Sequence, residues 1–403
     1  MSAQQAQTIK PRSATASRPK SVTILGSTGS VGCQTIDLIE RAPEQYEVVA
    51  LTARKNVAKL AEQAKNLKAK SAVIADESLY QELKDALRGT NIAVSAGAKA
   101  VEEAATMASD WVMSAIVGAA GLPPTLAAAR RGAELAFANK ETLVCAGPLM
   151  MELVKKHGAK LLPVDSEHNA IWQVFDEERR ESIAKIILTA SGGPFRTKTR
   201  EEMAKMTPEQ AIKHPVWSMG AKISIDSATL MNKALEIIEA HFLFQMPSEK
   251  IDVLVHPQSV IHSMVEYVDG STLAQLGSPD MRTPISTTLA WPNRMPAPVA
   301  KLDLAKIGQL TFEAPDPVKF PALRLAREAM QKGGTAPAAL NAANEIAVQA
   351  FLDHRIGFLD IERINETVMN ASPATPLTDL DVLLNADEEA RKMATAMVNR
   401  NKP

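Results

Sequence analysis

Two carboxylates two residues apart, Asp165 and Glu167, follow a short apolar run in the string Leu162-Pro163-Val164-Asp165-Ser166-Glu167-His168-Asn169. Alternate side chains of an extended segment share a face, so the spacing predicts that Asp165 and Glu167 point one way and Ser166 and His168 the other. Two acidic oxygen donors on one face are part of a metal site. Oxygen-only ligands suit a hard, octahedral ion such as Mg2+ or Mn2+, and such a site calls for a third carboxylate from elsewhere in the chain. An isolated D-x-E is more often a solvated strand end, so the metal reading depends on what the rest of the sequence supplies.

A candidate third carboxylate lies in Ser224-Ile225-Asp226-Ser227-Ala228-Thr229-Leu230-Met231-Asn232-Lys233-Ala234-Leu235-Glu236. Asp226 or Ser227 can cap a helix running from about Ala228 to Phe244, which clusters Ser227, Asn232 and Lys233 at its first turns, where free N–H groups and the dipole favour a phosphate. Asn232 and Glu236 are spaced i, i+4 and share a face. Upstream, Thr189-Ala190-Ser191-Gly192-Gly193-Pro194-Phe195 ends a strand in a turn whose hydroxyl and N–H groups can also receive a phosphate. His214-Pro215-Val216-Trp217-Ser218-Met219-Gly220 puts an imidazole and an indole on a loop, as a lid over substrate requires, with core packing of Trp217 as the alternative. His262 and the Ser278-Pro279-Asp280-Met281-Arg282 string add polar groups among apolar ones, whereas His157, His241 and His354 read as structural.

The elements that must position these residues read as an α/β protein: an N-terminal Rossmann-like parallel sheet, a central α+β catalytic domain and a C-terminal helical domain. Val22, Ile24 and Leu25 form a strand that runs into Gly26-Ser27-Thr28-Gly29-Ser30-Val31-Gly32, and Thr35, Ile36, Leu38 and Ile39 continue at helical spacing before a second strand at Tyr46 to Thr52. This βαβ order is the entry to a dinucleotide-binding sheet, with the glycine turn at the pyrophosphate. An acid that would take an NAD ribose is missing after the second strand. Arg54, Lys55 and Asn56 stand there instead and suit the 2′-phosphate of NADPH. Further strands are expected at Ser71 to Ile74, Trp111 to Val117, Leu135 to Ala138, Ile186 to Thr189 and Ile251 to Val255. The expected division is a disordered tail over 1–20, an NADPH-binding domain over 21–165, a catalytic domain over 166–291 with a mobile loop near 191–221, a proline-rich linker over 292–321 and a helical domain over 322–403.

Bulk composition narrows the partners. Lys+Arg 45 against Asp+Glu 46 leaves a formal net charge of -1, so no global field draws the chain to nucleic acid or to an anionic membrane. Only Cys33 and Cys145 occur, too few for a disulfide framework, and no apolar run reaches bilayer length, which together point to the cytoplasm. The basic opening MSAQQAQTIKPRSATASRPK lacks an apolar stripe and is expected to be a tail, a short transit peptide being the alternative.

Taken together, GSTGSVG, AIVGAAGL, ANKETLV, LPVDSEHNA, TASGGPF, HPVWSMG, DSATLMNKALE, HPQSVIHSMV, SPDMRTPI and LNAANEIAV resemble, in order from about Ser21 onward, the 1-deoxy-D-xylulose 5-phosphate reductoisomerases of the non-mevalonate isoprenoid pathway. The resemblance implies a metal held by Asp165, Glu167 and Glu236. It implies substrate contacts at Ser166, Glu167, Ser191, His214, Trp217, Ser227, Asn232, Lys233, Glu236, His262 and Met281, and NADPH contacts at Thr28, Gly29, Ser30, Val31, Arg54, Lys55, Asn56, Asn139, Lys140 and Glu141. The implied reaction is a retro-aldol and aldol rearrangement of the sugar phosphate to an aldehyde, then reduction to 2-C-methyl-D-erythritol 4-phosphate. Asp165, Glu167, Glu236, Lys233 and His214 would carry it, with Lys233, Glu167 and a metal-bound water all open as the general base. A homodimer is also implied. Two alternatives are an NADPH oxidoreductase on a sugar phosphate without rearrangement and a non-catalytic NADPH-binding protein. The family usually carries Gly where this chain has Ala234, a methyl that stabilises a helix by up to roughly 1 kcal/mol but can crowd a pocket.

Overall fold

The computed structural model describes residues 18–217 and 219–400. Seven strands, β1 (Lys20–Leu25), β2 (Tyr46–Ala53), β3 (Ser71–Ile74), β4 (Ala93–Ala96), β5 (Trp111–Ser114), β6 (Glu134–Phe137) and β7 (Lys160–Pro163), form one sheet in the order β4-β3-β2-β1-β5-β6-β7. Every pairing in it is parallel. Helices cover both faces, so the strands are apolar on both sides: Val22, Ile24, Leu51 and Met113 enter one core and Leu25, Val112, Leu135 and Phe137 another. The strand order reverses between β1 and β5, which opens a crevice at their C-terminal ends. The glycine turn stands there. A Cβ at Gly32 would lie 2.3 Å from the Gly26 carbonyl oxygen, so the helix Ser30–Glu40 packs this closely on the turn only because residue 32 is glycine.

A second sheet contains β8 (Ile183–Ala190), β9 (Ile251–Val255), β10 (Ile261–Tyr267) and β11 (Thr272–Leu276) in the order β11-β10-β8-β9. It is mixed, with β8 and β9 parallel and the other pairs antiparallel. Residues 292–321 follow an irregular path tied back to this sheet, where Val255 and Glu313 form an isolated bridge and Gln258 pairs with Thr311. The helices Ala322–Lys332, Ala336–Leu352, Phe358–Ala371 and Leu380–Arg400 complete the fold. Leu340, Ala343, Ala347, Ala350 and Phe351 are buried, while Ile346 is only half-buried.

Several expectations are corrected. Ordered chain begins before Ser21: Lys20 opens β1 and its ammonium reaches the Leu289 carbonyl, and Arg18 pairs with Asp110 at 2.6 Å. The rest of the expected tail, residues 1–17, lies outside the described residues. β5 stops at Ser114, not Val117. The helix expected from Ala228 is two helices, Ala221–Ala228 and Met231–Phe244, separated by Leu230 in a left-handed conformation at φ 59. Asp226 and Ser227 therefore end a first helix and cap nothing. β10 and β11 were not anticipated, because the His and Ser residues at 262 and 263 interrupt the apolar alternation that marks a strand.

Candidate active site

A cavity of about 900 Å³ lies between the C-terminal ends of the first sheet and the end of the second where β8 stops and β10 starts. All eleven residues expected to touch substrate line it: Ser166, Glu167, Ser191, His214, Trp217, Ser227, Asn232, Lys233, Glu236, His262 and Met281. Gly29, Ser30, Val31, Lys140 and Glu141 line it too. Thr28, Arg54, Lys55, Asn56 and Asn139 do not. Arg54 is exposed after β2, Lys55 pairs with Asp76 at 3.8 Å, and Asn56 caps the helix Val57–Asn66 by accepting from Lys59 N. Asn139 is buried and structural in its contacts, capping the helix Lys140–His157 and donating to the Gly118 carbonyl at 3.1 Å.

The three acids meet, though not by strand alternation. β7 ends at Pro163, and Asp165 is the N-cap of the helix Ser166–Val174, accepting from Glu167 N at 3.2 Å. The cap places both carboxylates at the helix start, where free N–H groups favour negative charge. Glu236 comes from the second turn of Met231–Phe244, and one ligand oxygen from each of Asp165, Glu167 and Glu236 lies within 4.8 Å of the others. Glu236 is fully buried. Burial and repulsion from Asp165 and Glu167 push its carboxyl above the usual range, against the pull of Lys233 and Lys140.

Two lysines thread this cluster. The Lys140 ammonium donates to Asp165 at 2.8 Å, to the Asn232 amide oxygen at 2.8 Å and to Glu236 at 3.3 Å. Expected on the cofactor side, it stands among the acids. Lys233 donates to Glu167 at 2.7 Å and also to Glu236. Burial opposes the charge on both lysines, yet the carboxylates outweigh it and hold both ammonium groups above their ordinary range.

His168 and Glu239 are the residues that the spacing argument missed. His168 is fully buried, its Nε2 donates to the Glu236 carbonyl oxygen at 3.0 Å, and its Nδ1 faces Glu239 at 3.2 Å without the alignment of a hydrogen bond. Burial would lower its pKa, but Glu239 and Asp165 push it up to about 9, so it is an imidazolium that supports the acids from behind. The signal was present as Glu239 one turn beyond Glu236 on the same helix face.

The phosphate-type pocket is built from the ends of β8 and of Ala221–Ala228. His214 Nδ1 accepts from Trp217 N at 2.9 Å, which leaves the hydrogen on Nε2 to donate to Ser191 Oγ at 2.8 Å. Gly193 N donates to the same oxygen at 3.2 Å. Ser191 Oγ thus accepts twice, and its own hydrogen is free for an anion. Gly193 sits at φ +67, and a Cβ there would come 2.6 Å from the Ser227 carbonyl oxygen, so glycine brings Ser191 and Ser227 together. The Trp217 indole packs 6.0 Å from the His262 ring, over the same cavity.

A switch-point crevice, a glycine turn and an acid cluster beside an anion pocket define an oxidoreductase of the dinucleotide-binding α/β class. Comparison with known proteins narrows the class. Models described as 1-deoxy-D-xylulose 5-phosphate reductoisomerase match residues 22–147 and, for its C-terminal domain, residues 161–244, and a model of the DXP reductoisomerase C-terminal domain matches residues 276–393. The 1-deoxy-D-xylulose 5-phosphate reductoisomerase of Rhodospirillum centenum is 66% identical over 379 residues, covering 94% of each chain. That of Zymomonas mobilis is 60% identical over 383 residues, 95% of this chain and 98% of the relative. A solved Zymomonas mobilis structure in complex with NADPH superposes with TM-score 0.90 at 58% identity, covering 95% of this chain and 99% of that one. A DOX-P reductoisomerase in complex with NADPH, fosmidomycin and magnesium superposes with TM-score 0.91 at 44% identity over 94% of this chain and 98% of that one. The chain belongs to the 1-deoxy-D-xylulose 5-phosphate reductoisomerase family.

Proposed function

We propose that this chain converts 1-deoxy-D-xylulose 5-phosphate to 2-C-methyl-D-erythritol 4-phosphate, using NADPH and a divalent cation, in the non-mevalonate supply of isoprenoid precursors. The observation that carries the reading is the convergence of Asp165, Glu167 and Glu236 within 4.8 Å, beside an anion pocket and in one cavity with the glycine turn. Relatives solved with NADPH and with magnesium support both cofactors.

The residues fit a hard cation. The donors are all carboxylate oxygens, they outnumber Lys140 and Lys233, and burial with repulsion from Asp165 and Glu167 holds the Glu236 carboxyl above its usual range, a repulsion that a bound cation would relieve. Asp165, Glu167 and Glu236 would hold the ion, which when bound supplies Lewis-acid polarisation of the ketone and its neighbouring hydroxyl. Gly29, Ser30 and Val31 of the glycine turn would hold NADPH, with Arg54, Lys55 and Asn56 after β2 as the groups for its 2′-phosphate, and the cofactor when bound would supply the hydride. Ser191, Ser227, Asn232 and Lys233 grip the phosphate and orient the carbon skeleton. Trp217 and Met281 cover the substrate and exclude water. Lys233 and Glu167, 2.7 Å apart, are the chain's own candidates to move the proton that bond rearrangement requires.

The units that do this are read as an NADPH-binding domain over 21–165, a catalytic domain over 166–291, a linker over 292–321 and a helical domain from 322. We also infer a homodimer acting in the cytoplasm. The edge strand β11 exposes Leu273 and Leu276, an open edge suited to pairing with a second copy, and no described helix is long and apolar enough to cross a membrane. The test is NADPH oxidation with 1-deoxy-D-xylulose 5-phosphate, with and without Mg2+ or Mn2+, followed by identification of the product. Metal-dependent turnover to the branched product is expected. An unrearranged product or metal-independent turnover overturns the reading.

A further inference from the structure

Asp226 ends the helix Ala221–Ala228, is 2% exposed and caps nothing. It belongs instead to a file of polar groups running from the C-terminal helices to the cavity. Asn365 Nδ2 donates to Asn344 Oδ1 at 3.0 Å, and Asn344 Nδ2 donates to Asp226 Oδ1 at 2.7 Å. The other Asp226 oxygen lies 2.8 Å from the Lys222 ammonium, which lies 3.5 Å from Glu141 Oε1. Asn344, Asn365, Asp226 and Glu141 are all buried. Burial opposes the Lys222 charge, but Asp226 and Glu141 outweigh it and hold the ammonium well above its ordinary range.

Such a file is a poor device for stability alone, since the cost of desolvating buried charges offsets much of their attraction and apolar residues of similar volume do as well. Its ends are informative. Glu141 follows Lys140, whose ammonium enters the acid cluster, and Glu141 itself is a candidate cofactor contact. Asp226 precedes Ser227 of the anion pocket. The same helix begins directly after the Trp217 to Gly220 segment. Among the described residues, its side chains make polar contacts to other elements at these two points, Glu141 and Asn344.

We propose that Lys222 and Asp226 are positioning residues for the reaction: Asn344 of the C-terminal helices fixes Asp226 and so sets Ser227 for the substrate phosphate, while Lys222 ties the same helix to Glu141 on the cofactor side. This rests on the function proposed above. It makes the C-terminal helices a contributor to substrate affinity although none of their residues lines the cavity.

The test uses the full chain and reads steady-state constants, the dissociation constant of NADPH from nicotinamide fluorescence, and the thermal midpoint. Asn344→Ala, which leaves Lys222 and Glu141 in place, should raise KM for the sugar phosphate about tenfold or more and leave the NADPH dissociation constant within about twofold. Lys222→Met should weaken both ligands, and Lys222→Arg should recover NADPH binding because a guanidinium can span the same two carboxylates. If Asn344→Ala does not fold, Asn344→Leu keeps the volume while removing the donor to Asp226 Oδ1, and should likewise raise KM for the sugar phosphate alone. Loss of thermal midpoint with unchanged KM, or equal weakening of both ligands by Asn344→Ala, overturns the proposal. Should the wild type show no turnover, the function reading fails by itself. The NADPH arm then still decides: weakening by Lys222→Met but not by Asn344→Ala supports the file, and no difference between them refutes it.

Discussion

Ala234→Gly should cost stability and spare catalysis. The glycine that the resemblance leads one to expect at this position would suit a backbone that must stay open to a ligand, yet Ala234 is fully buried and belongs with Leu122, Val144, Leu235 and Leu340 to the core behind the site. Lys233 and Glu236 line the cavity and Ala234 does not. Replacing it with Gly inside the helix Met231–Phe244 removes about 1 kcal/mol of helix preference. Deleting the buried methyl removes a similar amount through lost burial and a small void. The expected loss is about 2 kcal/mol, a fall in thermal midpoint of a few degrees for a chain of this size. Differential scanning calorimetry of both proteins, with KM for the sugar phosphate measured in parallel, checks it. A variant of unchanged midpoint, or one whose KM falls severalfold, would show that the methyl faces the pocket and that the packing argument is wrong.

Other outcomes follow from the same geometry. Asp165→Asn or Glu236→Gln should abolish metal-dependent turnover while NADPH binding, measured by fluorescence, is retained; turnover within tenfold of wild type would remove these acids from the reaction. Gly32→Ala would drive a Cβ to 2.3 Å from the Gly26 carbonyl oxygen, contact with backbone that cannot rotate aside. A penalty of about 1–3 kcal/mol and loss of NADPH binding are expected, and an unaltered NADPH dissociation constant would contradict the packing. Trp111 is fully buried and Trp172 packs against Trp291 with ring centroids 4.6 Å apart, so Trp217 is the indole placed to report on the cavity. Saturating substrate should change the emission of wild type but not of Trp217→Phe.

What could be seen in advance followed from how local each signal was. The glycine turn between an apolar strand and a helix, and the acids at 165 and 167, are patterns of adjacent residues, and the fold placed them where those patterns pointed. The reasons were less reliable. Asp165 and Glu167 converge through an N-cap, because the strand ends at Pro163 and a carboxylate accepting a backbone N–H starts a helix more readily than it prolongs a strand. The break at Leu230 was invisible because leucine has no preference for a left-handed conformation, and tertiary packing of the two flanking helices imposes it. Lys140 among the acids, His168 against Glu239, and the Asn365 to Lys222 file join residues up to 143 positions apart, where a single sequence carries no periodicity to connect them.

Asp165 also belongs to a second group that could hold an ion, with His168 and Glu239. Locating the metal is therefore the most direct test. Anomalous scattering from crystals grown with Mn2+ should show one strong peak bonded to oxygens of Asp165, Glu167 and Glu236, with the Lys140 and Lys233 ammonium groups moved off the oxygens they now share. A peak held by His168 and Glu239, or two of the three acids left unbonded, would contradict the account.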